Sequence, residues 1–463
     1  MKNHIIVYRT EKDAIGEKQV PIDAYYGVQS LRAYENFKIS GTKVHPEMIT
    51  GIVQVKMAAA MANKEAGALK PEVADAIILA CKEILDGRFI DNFIVDAIQG
   101  GAGTSFNMNA NEVIANRAIE ILGGDKGQYN IVHPNDHVNC GQSTNDAYPS
   151  AGKIALVRML KNAIPKLEML RDAFLRKAKE FEDVIKMGRT EMQDAVPITL
   201  GQTFNAFASA VSRDIRRFKS AIEEMSVLNM GGTAIGTGIN ADKKYISNIA
   251  DTISDITGIN FVQADDLIDA TQNLDGFVYV SGIIKSAAVT ISKIANDLRL
   301  MSSGPRTGFG EINLPAKQNG SSIMPGKINP VIPEVVSQIA FNIIGHDTTV
   351  TLAAESGQLE LNAFEPIVFR SLFESVETLT NGIEIFVKEC IDGITANEDV
   401  CREQVESSLG LATALCNHIG YEKSSSLAKE ALRENKKIKE VVLENKIMDE
   451  EELKEILDPF KMV

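Results

Sequence analysis

The sequence predicts a mainly α-helical fold with a long central helical bundle. Apolar residues recur at steps of three and four over long stretches of the chain. Helix-breaking residues are sparse, since the 463 residues include only 14 prolines. Long amphipathic helices must bury their apolar stripes against partner helices, so we expect an elongated bundle that could extend between subunits.

Four apolar stripes mark the expected bundle helices. They consist of Leu200, Phe204, Phe207, Val211, Ile215, Phe218 and Ile222; of Val280, Ile284, Ala287, Ile291, Ile294 and Leu298; of Leu372, Val376, Leu379, Ile383 and Phe386; and of Leu160, Leu167, Phe174 and Phe181. The last stripe contains Pro165, where we expect a kink. Each stripe indicates a buried helix face rather than a cofactor site.

The chain is expected to divide into three domains. Residues 1–140 form a mixed, mainly helical N-terminal domain with predicted helices at 52–66 and 73–85, and residues 141–395 form the central bundle. Residues 396–463 form a small C-terminal helical domain, in which the charged run 444–454 is a solvated helix face.

Composition and charge limit the partners and the compartment. The formal net charge of -14, from 62 acidic and 48 basic residues, gives no electrostatic support for a nucleic acid or an anionic membrane as partner. The five cysteines are scattered, as is typical of reduced thiols. The N-terminus does not resemble a signal or transit peptide, and no apolar run approaches the roughly 20 residues that span a bilayer. We therefore expect a cytoplasmic protein.

Four polar, glycine-containing stretches interrupt the helical pattern, at 100–112, 133–146, 188–197 and 304–330. The candidate site residues in them are one cation, Lys327, and the neutral donors Thr104, Ser143, Thr144, Asn145, Thr190, Ser321, Ser322 and Asn329. Any one stretch by itself is better explained by turns and helix caps. As a group, they suit a small dicarboxylate substrate, and the last stretch is typical of a lid that closes on an anion.

Other site classes lack a sequence pattern. The chain has no G-x-S-x-G elbow, no P-loop and no complete G-x-G-x-x-G after a strand. His133 and His137 are four residues apart, but Pro134 argues against a continuous helix that would bring both imidazoles to one face. No metal site is predicted.

The block GSSIMPGKIN at 320–329 resembles the signature loop of the aspartase/fumarase superfamily. The blocks VPIDAYYGVQSLRAYENF, NMNANEVIANRAIEILG, QSTNDAYPSA, GRTEMQDAVPITLGQ and GQLELNAFEP followed by GITAN are similar to other blocks of that family, in the family's order. The resemblance extends from about residue 20 to residue 401. The text flanking the loop, GPRTGFGEINLPAKQNGSS and DTTVTLAAESGQLELNAFEP, is similar to the aspartases rather than the fumarases.

This resemblance implies a three-domain, mainly α-helical fold and a homotetramer with a shared helical core, in which each active site combines residues from three subunits. It implies an ammonia-lyase that eliminates ammonia from L-aspartate in the anti sense to give fumarate, without a metal or organic cofactor. The alternatives are a class II fumarase, a lyase for a modified aspartate, and a non-catalytic structural member of the superfamily.

The resemblance also assigns roles to residues. Ser321 is the general base, and the reaction passes through an aci-carboxylate that preorganised donors must stabilise. Lys327, Asn329 and Thr190 hold the α-carboxylate, and Asn145 contacts the amine. The β-carboxylate is surrounded by Thr104, Ser143, Thr144 and Ser322.

Several positions depart from the family pattern. Glu191 stands where His or Gln is usual, Phe106 interrupts a common AGTSTNMN block, and Gly141 replaces an expected Ser. Glu334 matches the family glutamate that pairs with that His in fumarases. Two carboxylates would repel unless one is protonated or a cation lies between them. We therefore expect Glu191 to bind the substrate ammonium, although an ordinary salt bridge explains it nearly as well.

Overall fold

The computed structural model describes residues 7–462 and is mainly α-helical, as predicted. The α-helices are α1 (Val28–Asn36), α2 (Pro46–Ala66), α3 (Pro71–Leu85), α4 (Thr104–Ile121), α5 (Thr144–Glu180), α6 (Leu200–Met225), α7 (Lys243–Thr257), α8 (Asp269–Gln272), α9 (Asp275–Met301), α10 (Val331–Glu355), α11 (Glu365–Glu389), α12 (Glu398–Ser407), α13 (Ala412–Ile419), α14 (Tyr421–Glu434), α15 (Ile438–Glu444) and α16 (Glu450–Ile456). The first six residues of the predicted N-terminal domain lie outside the described part.

Short strands pair in twos. They are β1 (Tyr8–Lys12), β2 (Glu17–Pro21), β3 (Ile185–Thr190), β4 (Gln193–Thr199), β5 (Val227–Leu228), β6 (Val262–Gln263), β7 (Ile312–Asn313) and β8 (Thr395–Ala396). The pairs β1–β2, β3–β4 and β7–β8 are antiparallel, and β5–β6 is parallel.

All four predicted stripes lie on long helices, α6, α9, α11 and α5. Their apolar residues are buried, except that Ile222 is half-buried and Phe181 follows the last residue of α5. Helix α5 continues through Pro165 without interruption. The periodicity argument is therefore confirmed for the bundle helices.

One compact unit comprises residues 7–164, 217–285 and 342–378. Its core contains a chain of aromatic contacts in which Phe106 packs on Tyr148 and Tyr148 packs on Phe369, with ring centroids 6.2 and 5.6 Å apart. Phe277 and Phe373 extend the cluster from Phe369. Aromatic edge-to-face contacts of this kind stabilise a core beyond their buried area.

The second compact unit comprises residues 165–216, 286–341 and 379–462. Phe174 lies at the centre of its aromatic cluster, within 6.5 Å of the rings of Phe204, Phe207 and Phe386. Helices α13 to α16 enclose a small apolar core of their own that includes Leu415, Leu427 and Leu453. The three-domain division at residues 140 and 395 stays a prediction.

Two polar stretches are more regular than predicted. Most of the stretch 100–112 belongs to α4, in which Asn107, Asn109, Asn111 and Glu112 are buried polar residues. The stretch 188–197 lies largely in the β3–β4 hairpin. An apolar period does not reveal helices whose buried positions are polar.

Helix α9 is long and apolar enough to cross a membrane by length and composition alone. Of its most apolar window, 56% is buried within the protein, as in the core helix of a water-soluble protein.

Candidate active site

The first group of predicted site residues begins at the N-terminus of α4. Gly101, Ala102 and Gly103 have positive φ angles of 89°, 55° and 87°, and they lead into an exposed Thr104. A Cβ atom on Gly103 would lie 2.5 Å from the Tyr148 ring, so this turn requires glycine for space as well as for conformation. The turn places the Thr104 side chain at the positive end of a helix dipole.

Helix α5 begins at a reciprocal cap. The Ser143 hydroxyl oxygen accepts from the Asn145 N–H over 3.2 Å, and the Asp146 carboxylate accepts from the Ser143 N–H over 2.9 Å. The other Asp146 oxygen accepts from the N–H groups of Gly231 and Thr233. Burial raises the pKa of Asp146 to about 6, against these three hydrogen bonds. The N-terminus of a long helix, which favours anions, is thereby fixed beside Ser143 and Thr144.

The hydroxyl oxygens at this helix end accept hydrogen bonds from within the protein. Asn107 lies one turn after Thr104 on α4, and its Nδ2 donates to the Thr144 hydroxyl oxygen over 3.1 Å. Because Thr144 and Ser143 each accept a hydrogen bond from within the protein, their O–H groups remain able to donate to a ligand oxygen. The structure therefore brings Thr104, Ser143 and Thr144 to one corner of the first unit.

Asn145 is held from both sides of the same corner. Its Nδ2 donates to the Ala234 carbonyl over 2.8 Å, and its own carbonyl accepts from Asn229 over 3.0 Å. The amide orientation leaves Oδ1 as an acceptor, which suits a ligand that donates, such as an ammonium group.

The second group of predicted residues lies on the β3–β4 hairpin. Thr190 pairs with Gln193, and the two-residue turn between them consists of Glu191 and Met192 at φ angles of 52° and 65°. Consecutive positive φ angles are characteristic of a type I′ turn, which normally favours Asn and Gly. A glutamate in this conformation stores local strain, as is common for residues at functional sites. Thr190 and Glu191 are both exposed.

The hairpin is anchored through Arg189. Its guanidinium donates to a Glu311 carboxylate oxygen over 2.5 Å and to Gln404 over 3.0 Å, and it lies 4.2 Å from the centre of the Phe309 ring. Glu311 is completely buried, and Lys186 lies 3.4 Å from the same carboxylate oxygen. Below the hairpin is a pocket of about 860 Å³, lined in part by Thr190, Glu191 and Glu311.

The third group lies on the exposed loop 320–329. Its ends are tied together, because the Gly320 N–H donates to the Lys327 carbonyl over 2.7 Å and Asn329 Nδ2 donates to the Gly320 carbonyl over 2.8 Å. The Ser321 hydroxyl oxygen accepts from the N–H groups of Ile323 and Met324 over 3.1 and 2.9 Å. Two N–H donors on one oxygen stabilise negative charge on that oxygen. Ser322 and Lys327 are exposed beside it.

Among the residues that the structure describes, no hydrogen bond or ion pair joins loop 320–329 to the β3–β4 hairpin. Within the second unit, the hairpin and loop 320–329 thus form two separate local groups of predicted residues. Glu334, in the first turn of α10, lies 3.9 Å from Arg299 Nη2.

Two departures from the family pattern have a structural explanation. Phe106 is completely buried in the aromatic core of the first unit, and its N–H donates to Gln99. Its ring is therefore a packing element. Gly141 has a φ angle of 68°, a left-handed conformation that a serine adopts only with strain.

Sequence reasoning missed the residues that support the first group. Lys56 is completely buried on α2 and donates to Asn139 and Gln142, two amides of the segment before Ser143. A single lysine within the apolar run IVQVKMAAAMA was the available signal. The glycine-rich stretch GGTAIGTG at 231–238, which supplies N–H groups to Asp146, was also overlooked.

His133 directly precedes a one-turn π-helix, Pro134–Val138, and His137 lies within it. The His133 Nδ1 accepts from the N–H groups of Asn135 and Asp136, and the His137 Nδ1 accepts from the His133 N–H. Within residues 7–462, no group of three or more His, Cys, Asp or Glu side chains is placed to hold a metal ion.

Comparisons with known proteins cover nearly the whole chain. Residues 16–345 match a family model described as Lyase, and residues 411–463 match one described as Fumarase C C-terminus. The aspartate ammonia-lyase of Helicobacter pylori is 53% identical over 98% of each chain.

Solved structures agree with these matches. A fumarate lyase:delta crystallin from Brucella melitensis bound to cobalt has a TM-score of 0.96 and 48% identity over 98% of this chain and 99% of that one. The class II fumarase of Schistosoma mansoni has a TM-score of 0.95 but 34% identity over the same shares. Sequence identity is thus higher to the aspartate ammonia-lyase than to the fumarase.

Proposed function

Because the chain belongs to the aspartase/fumarase superfamily, we propose that it is a carbon–nitrogen lyase that eliminates ammonia from L-aspartate to give fumarate. The curated relative at 53% identity has the name aspartate ammonia-lyase, and that identity extends over the sequence blocks that hold the predicted site. The structural observation that carries the proposal is the pair of N–H donors on the Ser321 hydroxyl oxygen.

Ser321 acts as the general base in this proposal. A serine alkoxide is unstable at neutral pH unless its charge is compensated, and the N–H groups of Ile323 and Met324 provide that compensation. The alkoxide takes the proton from the carbon next to the β-carboxylate, and the electron pair of the C–H bond moves into that carboxylate. The resulting aci-carboxylate then forms the carbon–carbon double bond as the C–N bond breaks and ammonia leaves.

The β-carboxylate is bound by Thr104, Ser143, Thr144 and Ser322. For Ser143 and Thr144, this role is supported by the internal hydrogen bonds that leave their O–H groups as donors. The helix end at Ser143 adds a favourable field for the doubly negative intermediate.

The α-carboxylate is bound by Lys327, Asn329 and Thr190. One ammonium and two neutral donors match the charge and the hydrogen-bonding capacity of a carboxylate. Lys327 and Asn329 lie on the same loop as the base, and hydrogen bonds tie the two ends of this loop together. Movement of the loop over the substrate therefore brings the base and the cation to it together.

The substrate ammonium is bound by Asn145 and Glu191. The Asn145 amide presents Oδ1 as an acceptor, because its Nδ2 is engaged by Ala234. Glu191 adds a negative charge at the tip of a strained turn. Glu334 supports this subsite from α10 and has Arg299 as a cation within its own chain.

The enzyme is a homotetramer whose active sites combine residues from several subunits. Helix α10 supports this assignment, because Val335, Phe341, Ile344 and Leu352 are exposed on it. Exposed apolar side chains along one helix suit a helix of a second copy rather than water. The separation of the predicted residues into local groups within one chain is also explained by a shared site.

A cytoplasmic location completes the proposal, because all five cysteines are free thiols.

Turnover by the purified enzyme tests the proposed function. With L-aspartate we expect the ultraviolet absorbance of fumarate to rise together with an equal amount of free ammonia. L-malate should give no comparable rate. Faster fumarate formation from L-malate would make the enzyme a fumarase, and no turnover with any dicarboxylate would favour a structural role.

A further inference from the structure

Lys56 is a completely buried cation in the middle of α2. Its ammonium donates to Asn139 Oδ1 over 2.7 Å and to Gln142 Oε1 over 2.9 Å. Both acceptors are neutral amides, so these contacts satisfy hydrogen bonds without neutralising the charge. Burying a charge in this way costs free energy, and the arrangement calls for a functional reason.

The two amides connect Lys56 to the corner that holds Ser143 and Thr144. Asn139 Oδ1 also accepts from Asn107 Nδ2 over 3.2 Å, and the same Asn107 amide donates to the Thr144 hydroxyl. Gln142 is the residue directly before Ser143. Two side-chain amides, Asn139 and Asn107, thus link the Lys56 ammonium to the Thr144 hydroxyl, and Gln142 links it to the residue before Ser143.

The ionisable surroundings of Lys56 are few. Burial lowers the pKa of Lys56 to about 7, while the Asp146 carboxylate and the Cys81 thiol favour its charged form. Asp146 is itself held by three backbone N–H groups. An anion arriving at Thr144 adds a further negative charge and favours the ammonium form.

We propose that Lys56 is a positioning residue that places a buried positive charge behind the β-carboxylate subsite and stabilises the aci-carboxylate intermediate more than the bound substrate. The inference rests on the proposed function. The intermediate gains a negative charge at this carboxylate, and a cation in a low-dielectric environment acts on that gain more strongly than one in water. The amides transmit the effect by holding the Thr144 hydroxyl as a donor.

Lys56→Gln tests the charge, because a Gln side chain can still donate to both amide oxygens. We expect kcat for L-aspartate to fall by about tenfold or more. The inhibition constant of succinate, which fills both carboxylate subsites without reacting, should change by less than about threefold. Lys64→Met, on the same helix but partly exposed and paired with Asp75, is the matched control and should retain wild-type kcat.

Asn139→Asp provides an independent arm if Lys56→Gln does not fold. The carboxylate keeps the acceptor for Lys56 but cancels its charge, so kcat should again fall while succinate binding persists. Equal losses of kcat and succinate affinity would show that Lys56 has only a structural role. An unchanged kcat would show that its charge does not contribute to catalysis. Turnover of L-aspartate by the wild type is measured first. If the wild type does not turn over L-aspartate, the proposed function fails, and this result is distinct from a failure of the role of Lys56.

Discussion

The Asn107 amide donates to the Thr144 hydroxyl oxygen over 3.1 Å, so this contact leaves the threonine O–H able to donate. The hydroxyl becomes a preorganised donor for a carboxylate. A preorganised donor in the protein stabilises the transition state more than a water molecule does, because the donor needs no reorganisation during the reaction.

Thr144→Val removes this donor while keeping the shape of the side chain. A hydrogen bond to a charged group contributes about 1.5–3 kcal/mol, so kcat/KM for L-aspartate should fall by roughly 10- to 150-fold. Thr252→Val on α7, which also loses a hydroxyl bonded within its helix, is the control. The measurement is the steady-state kcat/KM of both variants. If Thr144→Val has the same kcat/KM as Thr252→Val, Thr144 does not belong to the subsite.

Glu191→Gln removes the proposed partner of the substrate ammonium. The KM for L-aspartate should rise about tenfold, because a charge-assisted hydrogen bond is lost. Inhibition by succinate, which has no amine, should not change. Glu182→Gln, at another exposed glutamate, controls for the loss of one negative charge. An unchanged KM and pH profile would show that Glu191 does not contact the amine.

Glu365 predicts a pH dependence of stability. Burial raises the pKa of Glu365 from 4.5 to about 8, with Lys153 opposing the shift. Between these two pH values the folded state retains a proton that the unfolded state has lost. The free energy of unfolding therefore declines as the pH rises from about 4.5 to about 8.

Glu365→Gln stays neutral throughout that range. Its thermal midpoint, measured from pH 5 to pH 8, should fall less with rising pH than that of the wild type. If the thermal midpoints of the two proteins fall in parallel with rising pH, the pKa of Glu365 is not raised. Glu377→Gln, at an exposed carboxylate of the same helix, should follow the wild-type curve.

Phe341→Glu tests the role of the exposed apolar side chains of α10 in the proposed assembly. Phe341 is 62% exposed in the single chain, and burying a new charge between subunits is costly. Light scattering should show smaller species than the proposed wild-type tetramer, with a loss of activity. Leu432→Glu, at a residue 70% exposed on α14, should leave the assembly intact. A tetrameric Phe341→Glu variant would place the interface elsewhere.

The long helices could be predicted because their apolar period is local. Leu200 to Phe218 and Val280 to Leu298 need only a generic apolar partner, whichever helix provides it. The first half of helix α4 was not recognised as helical, because buried polar residues interrupt its apolar pattern. Glu112, for example, accepts from the N–H groups of Gly27, Gln29 and Ser30, far away in sequence.

The candidate residues could be recognised from the family resemblance, but their supports could not. The hairpin at Glu191 is fixed by the contact between Arg189 and Glu311, 122 residues apart. Lys56 acts on a segment 83 residues away through Asn139. Such partners have no local period or spacing, so they appear only when the chain is folded.

Ser321→Ala tests the central claim most directly. Loss of a general base lowers kcat by about 10²- to 10⁴-fold, and we expect fumarate formation from L-aspartate to fall by that factor. Circular dichroism, thermal midpoint and the molecular mass in solution should match the wild type, because Ser321 lies on an exposed loop outside the core. A correctly folded Ser321→Ala tetramer that still deaminates L-aspartate at the wild-type rate would show that another group takes the proton.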